Sequence, residues 1–192
     1  MSKNQQMARF LLWEFLSFTI NASFQRNEIY SSKSISDEKK GEFRKDLKRQ
    51  LIKISEEYKN SVDEDKHIRN IILLQDISRS KKYKDILKNN EITFGTAQKL
   101  LNLFLKYRWI VNEISEPPHC PIDAIVINKL TEEIRHRKIK LKSKLHPSWT
   151  TANEQEYKNY IKAINLIKDD MSVTEWELNL WNKKGVDSMI FQ

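Results

Sequence analysis

A chain of 192 residues, 39% hydrophobic and 31% charged, has the apolar content for one packed core and too much of it for a disordered segment. One cysteine excludes an internal disulfide framework, a cysteine-ligated zinc site and a four-cysteine iron–sulfur cluster, and three glycines argue against a sheet with many hairpins. Thirty-four Lys and Arg against 26 Asp and Glu give a net charge of +8, which favours an anionic partner such as nucleic acid.

Residues 7–24, MARFLLWEFLSFTINASF, are apolar but interrupted by Arg9, Glu14 and Asn21. They are short for a membrane span and lack a signal-peptide cleavage site, so the expectation is a first helix buried in the core, with no membrane partner and a cytoplasmic location. Phe43, Leu47, Leu51, Ile54 and Tyr58 recur at helical spacing and predict a helix over 42–60. A second helix follows the acidic turn Asp63-Glu64-Asp65 and runs through Ile68, Ile71 and Ile77. A short helix around Tyr83, Ile86 and Leu87 ends at Asn89-Asn90, a pair suited to left-handed backbone. The next helix runs from Thr96 to about Trp109. Pro121 suits the first turn of a helix continuing to Leu130. Thr151 with Glu154, and Ser172 with Glu175, are capping-box patterns that open the last two helices.

Between these, residues 135–144, RHRKIKLKSK, hold six Lys or Arg and no acid. Ile139, Leu141 and Leu145 alternate with lysines there. An extended segment would place Lys138, Lys140, Lys142 and Lys144 on one face as a row that tracks a DNA backbone. A solvated loop is the equal alternative. The whole chain reads as all-α: a single compact helical domain over 1–192, in one or two lobes, with no repeat or linker.

The chemistry concentrates in residues 91–129. A turn ending in Gly95 leads to a helix carrying Lys99 on its first turn. The elbow Pro117-Pro118-His119-Cys120-Pro121 then delivers Asp123 to the first turn of the next helix. Backbone N–H groups at Gly95 and Thr96 are candidates to hold a phosphate of DNA. Gly95, Lys99 and Asn102 in GTAQKLLN, with Asp123 in PIDAIV, resemble the helix-hairpin-helix DNA glycosylases, the superfamily of endonuclease III and the oxoguanine glycosylases. The resemblance covers residues 83–130. It departs from the family in its hairpin, Ile92-Thr93-Phe94-Gly95, which has one glycine where Leu-Pro-Gly-x-Gly is usual. The Lys99–Asp123 separation is also longer, with residues 112–116 looking like an insertion.

The resemblance implies a helix-hairpin-helix-like element at about 80–130, an essential carboxylate at Asp123 and a catalytic lysine at Lys99. It also implies an enzyme that excises a modified or damaged base from DNA, in repair or in defence against phage. A pocket for the extruded base would draw on Trp109, His119 and Trp149, with Trp176 and Trp181 as further candidates. Tryptophans are more often core anchors than stacking platforms, and a first-turn aspartate is favoured by the helix dipole alone. The histidines have no metal-ligand spacing, so neither metal nor cofactor is expected, and no obligate protein partner is evident. The alternative function is a non-catalytic helical module that binds DNA or protein, such as a component of a bacterial defence or toxin system.

Overall fold

The computed structural model describes residues 2–25 and 28–185, and within them seven α-helices carry the fold. The expected domain spans 1–192; residues 1, 26, 27 and 186–192 lie outside the described residues. The axis of the molecule is α4 (Phe94–Ile110), of whose 17 residues 13 are buried, so neighbours must enclose it. α1 (Lys3–Phe24), α2 (Asp37–Ser55) and α3 (Glu64–Ser78) pack on it directly, as does α6 (Glu154–Asn165). α5 (Ala124–His136) and α7 (Val173–Gly185) both pack on α6. One hydrophobic cluster takes residues from all seven helices, from Leu16 and Leu51 through Phe104 to Leu130, Tyr160 and Trp176. The described residues therefore form one compact all-helical domain around one core.

Local sequence sets the helix starts. Ser36, Asp63 and Thr93 each accept a backbone N–H with the side chain, and α2 begins at Asp37, ahead of the expected 42, because Ser36 caps it. Its expected end at 60 is instead a 3-10 turn over Glu56–Lys59. The Ser172–Glu175 box forms reciprocally, at 2.8 and 3.0 Å. The other box is shifted: Asn153 and Glu156, not Thr151 and Glu154, exchange hydrogen bonds of 2.8 and 3.0 Å. Asparagine at 153 can do what Thr151 would have done, two residues closer to the apolar run.

Two expectations are corrected. α1 is not buried through its length: residues 2–11 are all exposed, and Phe10 and Trp13 stand 61% and 56% exposed. Its core stripe is only Leu16, Thr19, Ile20, Ser23 and Phe24, a helical spacing confined to its second half. Nor does a tight hairpin join two helices before α4. α3 ends at Ser78, and residues 79–93 hold two single 3-10 turns, Lys81–Tyr83 and Lys88–Asn90, in place of the short helix around Tyr83. Asn89 and Asn90 do adopt positive φ, 58° and 61°. No helix among the described residues is long and apolar enough to cross a membrane.

Candidate active site

Lys99 and Asp123, 24 positions apart in sequence, meet: Lys99 Nζ lies 3.5 Å from Asp123 Oδ2. Both side chains are largely buried, at 11% and 17% exposure. The lysine ammonium also sits over the Trp149 ring, 4.4 Å from its centre. Lys99 is the sixth residue of α4, on its second turn rather than its first.

Asp123 is brought there by two amides on α4. Gln98 clamps the Ile122 peptide, donating from Nε2 to its carbonyl (2.7 Å) and accepting its N–H at Oε1 (3.1 Å). One turn later Asn102 Nδ2 donates to the Cys120 carbonyl (3.0 Å). At the near end of the elbow Thr174 Oγ1 donates to the Pro117 carbonyl (2.8 Å). Pro121 therefore precedes the helix instead of opening it, and Asp123 is the cap of α5. Its Oδ1 accepts N–H from Ile125 (2.9 Å) and Val126 (3.1 Å), leaving Oδ2 to face the lysine.

The pair borders a cavity of about 410 Å³, within the usual range for small-molecule sites of about 300–1,000 Å³. Lys99, Leu103 and Lys106 of α4 line it, with Phe18 of α1 and Tyr107 forming an aromatic edge-to-face pair at 5.7 Å. α7 closes it with Glu177 and Trp181. There a second ion pair repeats the first: Lys106 Nζ lies 2.7 Å from Glu177 Oε2 and 5.5 Å from the Trp181 ring centre. Burial pushes the Glu177 carboxyl above its ordinary range, and Lys106 opposes that shift.

Of the residues expected to receive a base, Trp149 lines this cavity. Trp109 and His119 are not among its lining residues. Trp109 packs partly buried against the core and Trp176 is an anchor within it, while Trp181, one of the further candidates, is a wall. Gly95 and Thr96 are also corrected. Both are buried, the Gly95 N–H is held by the Ala152 carbonyl (3.1 Å), and Thr96 N–H by Thr93 Oγ1 (3.1 Å). The start of α4 is thus covered by residues 149–152 and has no open N–H nest for a phosphate.

The basic segment is an irregular loop rather than a strand, yet its sides are as the alternation implies. Ile139, Leu141 and Leu145 pack against the core and Lys140, Lys142 and Lys144 are exposed. Lys138 is exposed as well but sits at φ 54°, in the left-handed turn that closes α5, where its N–H reaches the Arg135 carbonyl (3.1 Å) and that of Ile139 reaches Ile134 (3.0 Å). Arg137 is engaged by Asp169 at 2.8 and 3.0 Å.

Behind the elbow lies a buried polar network. Tyr58 and Tyr157 hydroxyls accept from Asn70 (3.3 Å) and Asn102 (2.9 Å) and meet Nδ1 of His67 (2.8 Å) and His119 (3.1 Å). Each hydroxyl proton then has the imidazole as its acceptor, which assigns both ring protons to Nε2. Burial holds His67 well below the usual histidine range and His119 at about 4, with the other histidine and Lys158 as the respective next causes. Cys120, fully buried, has its thiol pushed well up and is no nucleophile.

Acid lability follows with a defined sign. The unfolded histidines bind protons below about 6.5 while the folded ones do not, so stability is complete above that pH and falls as pH drops towards 4. Each histidine contributes a slope of up to about 1.4 kcal/mol per pH unit, hence about 3 kcal/mol for His119 by pH 4. Urea midpoints measured from pH 7 to 4.5 should decline more steeply in the wild type than in His119→Asn. Equal slopes would contradict this reading of the network.

Comparison of the chain with protein-family models, with curated proteins and with solved structures finds no match. What the site does has to be read from its own chemistry.

Proposed function

We propose that the protein is a DNA glycosylase-like enzyme that excises a modified or damaged base, acting in repair or in defence against phage. One observation carries the reading: the Lys99–Asp123 pair, 3.5 Å apart, borders a 410 Å³ cavity with aromatic walls. Cleavage of an N-glycosidic bond builds positive charge on the sugar, and a carboxylate fixed by two backbone N–H groups is already oriented to stabilise it. Lys99 is positioned to give one ammonium proton to the departing base and attack C1′ as the N-glycosidic bond breaks. Opening of the sugar C1′–O4′ bond, with a second amine proton passing to O4′, then forms the Schiff base while Asp123 stays charged. Aromatic side chains accept a base that has left the stack.

Borohydride trapping tests the lysine. A covalent protein–DNA adduct is expected in the wild type and none in Lys99→Gln. Abasic sites formed without any trapped adduct would reassign Lys99 to orienting Asp123.

DNA is engaged through the exposed lysines of the loop that joins α5 to Trp149, not through the start of α4. Replacing Lys138, Lys140 and Lys142 with Gln should weaken binding equally for all sequences and reduce the salt slope by about 1 for each phosphate that is no longer neutralised. Melting temperature should hardly change, since all three side chains are exposed. An unchanged salt slope would make the loop a solvated surface.

A non-catalytic DNA-binding or protein-interaction module is the second reading. It is favoured by the fact that both Asp123 oxygens already have partners within the protein, so the pair also has a structural role. Base release separates the two.

A further inference from the structure

The second carboxylate of the cavity has a use that the Lys99–Asp123 chemistry leaves open. Glu177 is only 2% exposed, yet it borders the cavity. Its Oε1 accepts the Trp181 Nε1–H (2.5 Å) and its Oε2 accepts Lys106 Nζ (2.7 Å). An ionised carboxylate presents about four lone-pair directions, so two acceptor positions remain after these bonds. Lys106 and Trp181 also hold the group in one orientation, which makes those positions fixed in space. Asp123 differs, because its Oδ1 is consumed by two backbone N–H groups and its Oδ2 faces Lys99.

A carboxylate of this kind can only accept. It favours a ligand N–H and repels a carbonyl oxygen brought to the same place, and burial sharpens both effects because water cannot compensate. Trp181 beside it, 39% exposed, supplies an apolar face for a planar ring. Lys106 and Lys99 stand two helical turns apart on α4, roughly 10 Å along its axis, so Glu177 and Asp123 are paired with different turns of that helix.

We propose that Glu177 is a specificity-determining residue that reads an amino group, so that the cavity takes amino-bearing bases of the adenine, cytosine or guanine type over their carbonyl counterparts. The proposal rests on the reading of the cavity as a base pocket, but not on any cleavage. Tryptophan fluorescence of the full chain, titrated with paired deoxynucleosides, tests it: deoxyadenosine against deoxyinosine, and deoxycytidine against deoxyuridine. The amino member of each pair is expected to bind about tenfold tighter or more, the discrimination that a good hydrogen bond to a base edge provides. In Glu177→Gln, whose amide offers a donor, the preference should narrow or reverse. Equal affinities within both pairs would overturn the inference and leave the base pocket standing. Absence of binding by all four nucleosides at millimolar concentration would overturn both. If Glu177→Gln does not fold, because Lys106 loses its buried partner, the wild-type comparison alone decides.

Discussion

Asp123→Asn should lose base-release activity by about 10²–10³-fold, the usual cost of removing one oriented group that stabilises transition-state charge, while the fold survives. Asparagine keeps an oxygen where Oδ1 now accepts the Ile125 and Val126 N–H groups, so α5 stays capped. What disappears is the negative charge that Oδ2 presents to Lys99 and to the cavity. Asp123→Ala removes the cap as well and should cost about 1 kcal/mol of stability besides. Abasic-site yield and thermal melting, measured on both variants, separate charge from cap. Unchanged base release in the asparagine variant would leave Asp123 a helix cap and nothing more.

Gly95→Ala should destabilise the protein by about 3 kcal/mol or more. The sign is diagnostic, because glycine to alanine in a helix normally gains roughly 0.5–1 kcal/mol. A Cβ at position 95 would stand 1.7 Å from the Trp149 carbonyl oxygen and 2.9 Å from its carbon, both backbone atoms that no side-chain rotation relieves. The chain at 149–152 would have to lift away, breaking the Gly95 N–H to Ala152 hydrogen bond and the Thr93 bond to the Thr150 carbonyl (2.7 Å). Trp149 would leave Lys99 with it, so affinity for any ligand of the cavity should fall too. Urea denaturation gives the stability directly, and a variant as stable as wild type would contradict the close approach.

These two positions show what the sequence makes legible. Lys99 and Asp123 attract notice because an elbow of prolines leads an aspartate into the start of an apolar helix, and the geometry brings the two side chains together. Gly95 attracts notice for the wrong reason: it is needed for close backbone approach inside a helix, not for an open hairpin. Gln98 and Asn102 escape notice in their positioning role, since amides at helical spacing look like ordinary surface residues until the segment they hold is known. Lys106 and Glu177 lie 71 positions apart, and no local pattern announces such a pair. α1 misleads through composition, because Phe10, Trp13 and Phe18 are on the outside and Thr19 and Ser23 are inside. Periodicity serves best where a stripe is both apolar and capped, as in α2 and α3.

Base release from DNA is the most direct test of the central claim, that the Lys99–Asp123 cavity cleaves an N-glycosidic bond. Purified protein, incubated with host and phage DNA in single- and double-stranded form, should release a base and leave abasic sites, and Asp123→Asn should leave almost none. Wild-type protein that binds these DNAs and yields neither free base nor abasic sites on any of them would contradict the account.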